Sequence, residues 1–172
     1  MSLSRHTLAQ PGRQEPDRTE KGIGMPHFGL MNEDELGPVE GPLQRARLHI
    51  RGGKRRLRQG KIAAGIVTLY DALSSAMQWY LASPERRLKL VVVSDEDLLH
   101  DRTAYAVLVR AGVLDGRFDF DAFDRLTEQA LVQEMPGYDH RELLEGVESV
   151  MTRLGVMPFD EANLPPEDPG TY

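Results

Sequence analysis

Ile62, Ile66, Leu69, Leu73, Ala76, Met77 and Tyr80 recur at intervals of three and four, and this spacing limits the chain more than any other feature. Side chains so spaced lie on one face of an α-helix. Ala63, Val67, Tyr70 and Ala72 widen the apolar stripe beyond that of a half-buried helix, which places the segment at the centre of a core. Its end is expected at Ser83-Pro84, because proline disfavours the helical region for the residue before it. A helix with so wide an apolar girth has to be covered by other elements.

The sequence around it supplies helices rather than strands. Leu43, Ala46, Ile50 and Leu57 fall on one side of a helical wheel, and Gly60, preceded by Arg56 and Arg58, marks a helix end. Gly52 and Gly53 lie inside that first helix; mid-helix glycine costs about 1 kcal/mol relative to alanine, so a kink or break is open there. Ser94-Asp95-Glu96-Asp97 has the capping-box pattern and predicts a third helix through Leu98, Tyr105, Leu108 and Val109 to Gly112. A fourth is expected from Asp119 or Asp121 through Phe123, Leu126, Ala130 and Leu131, closed by Pro136-Gly137. Asp139-His140-Arg141-Glu142 repeats the capping pattern and opens a fifth, with Leu143, Leu144, Val147, Val150, Met151 and Leu154, ended at Gly155. Leu88, Leu90, Val91, Val92 and Val93 have strand-like composition but no partner strand elsewhere, so an apolar connection or short helical extension is expected.

The fold class is therefore all-α: an antiparallel up-and-down bundle of about five helices with extended arms at both ends. One bundle domain is expected at 41–157. Residues 1–40, with Pro11, Pro16, Pro26 and Pro38 among several glycines, read as an extended or disordered arm. Met25, Phe28, Leu30 and Met31 are its exceptions, able to pin the arm to the body or to a second subunit. Residues 158–172, with Pro158, Pro165, Pro166 and Pro169, read as a loosely held proline-rich tail.

Charge is divided unevenly along this chain. Between Gly41 and Tyr70 there is no Asp or Glu, while Arg45, Arg47, Arg51, Lys54, Arg55, Arg56, Arg58 and Lys61 all lie there. The formal charge is −6, and outside the window 13 basic residues face 27 acidic ones. Arg47, Arg51, Lys54, Arg55 and Arg58 follow one another at four, seven, eight and eleven residues from the first, which makes a cationic stripe beside the apolar face of the first helix. Such a stripe suits a nucleic acid, a nucleotide or an acidic protein surface. Of equal weight is a solvated face, or one paired with the protein's own acid. In a third reading it meets acidic residues of a neighbouring subunit in a homo-oligomer. No aromatic residue is interleaved with the arginines, so a base-stacking platform is not indicated.

Other chemistry finds little support. The absence of Cys excludes disulfides and thiol nucleophiles and is compatible with a reducing cytoplasm. The N-terminal residues lack the apolar run of a secretory signal, and no segment approaches the roughly 20 apolar residues that span a bilayer, so a cytoplasmic location and no membrane partner are expected. Asp97 and His100 could share a helix face, but no matching carboxylate-x-x-His pair exists elsewhere for a metal centre. Asp115-Gly-Arg-Phe-Asp119-Phe-Asp121 departs from a calcium loop, with Arg117 at the third position and Phe120 where glycine is required. Phosphate-loop, Gly-x-Ser-x-Gly and His-Glu-x-x-His patterns are absent. No catalytic residue, metal ligand or cofactor site is indicated, and a binding or adaptor module is favoured over an enzyme.

Lys54-Arg-Arg-Leu-Arg-Gln-Gly60, continuing through Ile66 and Tyr70-Asp-Ala-Leu73 to Tyr80-Leu81, resembles the first two helices of the HEPN family over about 40 residues. That resemblance implies an up-and-down helical bundle, often homodimeric, with roles from nucleotide binding to RNA cleavage. RNA-cleaving members carry an arginine, four to six residues and a histidine near the start of a late helix. Here Asp139-His140-Arg141-Glu142 has no arginine at that spacing before His140. The same residues are similar to one tetratricopeptide unit, with Gly60, Ala72 and Pro84 in matching places, but no second unit follows.

Overall fold

A computed structural model of the chain describes residues 33–168; the expectations for Met25, Phe28, Leu30 and Met31 lie outside them. The described residues form six helices and no strand: α1 (Glu33–Arg58), α2 (Ile62–Ala82), α3 (Pro84–Arg87), α4 (Asp101–Arg110), α5 (Phe120–Val132) and α6 (Arg141–Leu154). A single 3₁₀ turn follows at Glu161–Asn163. The all-α bundle is thus observed. Among the described residues no helix is long and apolar enough to cross a membrane.

α2 is the hub, touching each of the other five helices. Ile66, Leu69, Leu73, Ala76 and Met77 are wholly buried along it, as the three-four period requires. Around its middle, Tyr70 lies 5.5 Å from Phe123, and Tyr105 of α4 stacks on Phe120 of α5 at 4.9 Å between ring centroids. Trp79 closes the other end with only 8% of its surface exposed.

α1 differs from expectation in two ways. It begins inside the segment read as an arm: Gly37, at φ 76° and ψ −179°, interrupts the helical dihedrals, and Pro38 restarts them with a preset φ. Beyond that, it passes through Gly52 and Gly53 without a break. The reason is tertiary. A Cβ on Gly53 would lie 2.9 Å from Leu69 Cδ2, and one on Gly65 of α2 would lie 2.5 Å from Leu57 Cδ2. The glycines mark where the two helix backbones approach each other, and packing there offsets the weak local propensity. Gly60 (φ 74°) then closes α1, with the Lys61 N–H reaching back to the Arg56 carbonyl at 3.0 Å.

The third expected helix starts later than its pattern suggested. Ser94–Asp97 form turns, and α4 opens at Asp101 with His100 as its N-cap. Glu96 does not cap a helix; its carboxylate accepts the Val93 N–H and two bonds from Arg110. Asp119 caps α5 as expected, accepting the Ala122 N–H at 2.8 Å. Gly155 ends α6 in the left-handed region at φ 83°, with the Val156 N–H returning to the Met151 carbonyl. The segment after it, read as a loose tail, is held against α1.

Candidate anion-binding face

One unbroken helix carries the whole stripe, so Arg47, Arg51 and Arg55 stand one turn apart in a row, with Lys54 beside them. The structure brings four of the five expected residues into contact with other parts of the chain, and three of those contacts are with the C-terminal segment. The Arg47 Nε–H donates to the Val156 carbonyl at 3.2 Å, and its guanidinium lies 5.3 Å from the Phe159 ring centroid. Arg51 donates through a terminal nitrogen to the Pro165 carbonyl at 2.8 Å. Its Nε lies 3.0 Å from one oxygen of Glu167, and the Arg55 Nε lies 2.5 Å from the other.

Glu167 is therefore gripped between two arginines. The side chains are 12% and 14% exposed for Arg51 and Arg55 and 11% for Glu167, which makes this a largely desolvated charge cluster rather than a surface ion pair. Neither Nε–H is aligned on its oxygen well enough to hydrogen-bond, so the attraction at those atoms is Coulombic. Arg56 is buried beneath. Its pKa is lowered by burial first and by the like charge of Arg55, with Glu167 acting in the opposite sense.

Lys54 turns away from this cluster to Glu148 of α6, at 2.7 Å. Arg45, outside the expected stripe, donates to Ser75 and Gln78 of α2 at 3.0 and 2.7 Å. Arg58 and Lys61, at the C-terminal end of the row, are exposed. Four of the five stripe residues thus meet other parts of the chain, and Arg51, Arg55 and Lys54 pair with the protein's own acid, one of the arrangements that the spacing left open. Val156, Phe159, Pro165 and Glu167 are the residues sequence reasoning missed. The available signal was acid in the tail, Glu167-Asp168, after a helix window without any.

Two other places were singled out in the sequence. His100 Nε2 sits 3.7 Å from Asp97, both well exposed, and among the described residues no group of three or more potential metal ligands comes together. Asp115 of the calcium-like stretch pairs with Arg153 of α6 at 2.7 Å. That pair borders an open groove of about 750 Å³ between α5 and α6, floored by Phe118 and Phe123 and rimmed by Asp119, Glu142 and Glu145. Phe118 fits there because Gly146 has no side chain; a Cβ would stand 2.6 Å from its ring. Tyr138, also on the groove, has its pKa raised by burial and then by the charges of Glu142 and Asp139.

In comparisons with known proteins, the chain matches no family model, no curated protein and no solved structure.

Proposed function

We propose that the chain is a helical binding or adaptor module whose α1 presents guanidinium groups to the oxygens of an anionic partner. The observation that carries this reading is Glu167, a carboxylate seated between Arg51 and Arg55 in a site that is almost closed to water. Converging arginines are suited to carboxylate and phosphate oxygens alike. A second reading takes the arginines as internal fasteners of the fold, and the Lys54–Glu148 pair favours it.

The discriminating experiment is fluorescence anisotropy of a labelled RNA oligomer as a phosphate-bearing probe, titrated at low and moderate salt. The full chain, its Glu167→Gln variant and an Arg51→Glu/Arg55→Glu/Arg58→Glu variant are compared. Binding that weakens with salt and is lost in the triple reversal supports an anion-binding face, with each phosphate-contacting cation contributing about one unit to the salt slope. Should neither the wild type nor Glu167→Gln bind at low salt, the RNA form of the reading fails. If carboxylate ligands then also fail, the arginines are fasteners.

A further inference from the structure

We infer that the α1 face is an interaction surface for a proline-containing acidic peptide, and that residues 157–167, which fold through the 3₁₀ turn at Glu161–Asn163, are a built-in copy of that ligand which an incoming peptide must displace. The inference rests on the anionic-partner reading and gives the partner its chemistry.

The contacts along the row define a recognition pattern. From the N-terminal side of α1, Arg47 meets a carbonyl and an aromatic ring, Arg51 a carbonyl and a carboxylate, and Arg55 the same carboxylate. The tail therefore runs in the same direction as α1, with its contacts at one-turn intervals on the helix. Two of these contacts are to backbone carbonyls: that of Val156, which stays with the buried end of α6, and that of Pro165, which any peptide can supply. Specificity falls on the remaining two: an aromatic ring over Arg47 and a carboxylate between Arg51 and Arg55.

Proline belongs in the pattern for a physical reason. Pro165 and Pro166 bring no backbone N–H into a site composed of donors, and their fixed φ favours an extended chain that presents carbonyls outward. The arginines have nothing but donors to offer, so a segment made of acceptors matches them. Phosphodiester backbones meet the carboxylate requirement but have neither the ring at Arg47 nor the carbonyl spacing.

The chain's own copy has the advantage of attachment. A tethered segment competes at an effective concentration on the order of millimolar, so the site is occupied unless a peptide binds better or the tail is weakened. The apparent affinity for a second peptide is then the intrinsic affinity scaled by the fraction of molecules with the tail released.

The test uses a fluorescein-labelled synthetic peptide with the sequence of residues 156–168, titrated into full-length wild type, Glu167→Gln and Arg51→Gln/Arg55→Gln proteins, with circular dichroism to establish that each is folded. Expected is binding to Glu167→Gln about tenfold or more tighter than to wild type, and none to the double arginine variant. In ¹⁵N spectra of wild type, saturating peptide should move the Ala162 and Asn163 amides to unstructured positions. Equal affinity for a peptide carrying Gln at the position of Glu167 overturns the inference. If RNA binds Glu167→Gln and the peptide does not, the peptide inference falls while the anionic-partner reading stands; if neither binds, both fall.

Discussion

Gly65→Ala tests whether close approach of α1 and α2 sets the frame on which the arginines are aligned. Alanine in a helix interior is favoured over glycine by about 1 kcal/mol, so local propensity alone predicts stabilisation. The structure predicts the reverse. The new Cβ would lie 2.5 Å from Leu57 Cδ2 and 2.7 Å from Cγ, whereas carbon atoms pack best at about 3.5–4.0 Å. Leu57 has little room to yield, because it is 4% exposed and Cγ is the branch point of its side chain. Its backbone nitrogen, 3.3 Å away, limits relief by rotation of the side chain alone. Overpacking of this kind costs about 1–3 kcal/mol, and two clashing atoms place it towards the upper end. Net of helix propensity, a loss of about 2 kcal/mol is expected, which lowers the melting temperature by about 4–8 °C for a chain of this size. Thermal and urea unfolding followed by circular dichroism measure it. In the Leu57→Ala/Gly65→Ala double variant the two losses should sum to less than their separate values by about 1 kcal/mol or more. A Gly65→Ala protein more stable than wild type would refute the close-packing account. Gly53→Ala should be milder, since the nearest atom there, at 2.9 Å, is a terminal methyl of Leu69.

Two further outcomes follow from pairs outside the stripe. Arg110, with the Val93 N–H, holds the Glu96 carboxyl down from 4.5 to about 2. Because the folded value is the lower one, the pair's contribution is complete above pH 4.5 and is lost as pH falls towards 2. Carboxyl-carbon NMR of Arg110→Ala should return Glu96 towards its ordinary midpoint, and an unchanged midpoint would contradict the assignment. Arg86 places its guanidinium 3.6 Å from the Trp79 ring centroid and donates to the Trp79 carbonyl. Arg86→Ala should cost about 0.5–2 kcal/mol. It should also shift the emission of the chain's one tryptophan to longer wavelength; unaltered emission and urea midpoint would show that the contact contributes nothing.

What was legible in the sequence was whatever short-range spacing decides. The period of Ile62 to Tyr80 located the central helix because its wholly buried residues Ile66, Leu69, Leu73, Ala76 and Met77 recur at three and four, and burial extends to either side of that stripe. The Asp119 cap was readable because its partner lies three residues away. Ser94–Asp97 carried an equally good pattern and misled, because Glu96 finds Arg110 fourteen residues on and not a nearby helical N–H. Gly52 and Gly53 looked like weak points since propensity is local, whereas the close packing that uses Gly53 comes from a neighbouring helix. The five stripe residues could be aligned from their spacing, but their cover could not. Arg51 and the Pro165 carbonyl are separated by 114 residues, and proline-rich composition suggested only a loosely held tail.

The manner of attachment bears on whether the tail can move. Val156 is wholly buried beside the Gly155 cap, so the start of the segment is fixed by apolar packing and by the end of α6. Beyond it burial is only partial: Met157 and Phe159 still pack against the core, past them the contacts to α1 are made by the Pro165 carbonyl and the Glu167 carboxylate, and no residue from 157 to 168 is fully buried. Burying a charge pair stabilises little in net terms, because desolvation offsets most of the Coulombic gain, whereas removing one partner leaves the other exposed to the full penalty. Glu167 therefore contributes modestly to folding while Arg51 and Arg55 still require an acid in its place. A competing carboxylate supplies that need without leaving a buried charge uncompensated, so exchange of one acidic segment for another avoids the large penalty of simply vacating the site. The movable part should begin after Val156, and the α1–α2 frame, which packs through Gly53 and Gly65, should remain unchanged whichever segment lies on it.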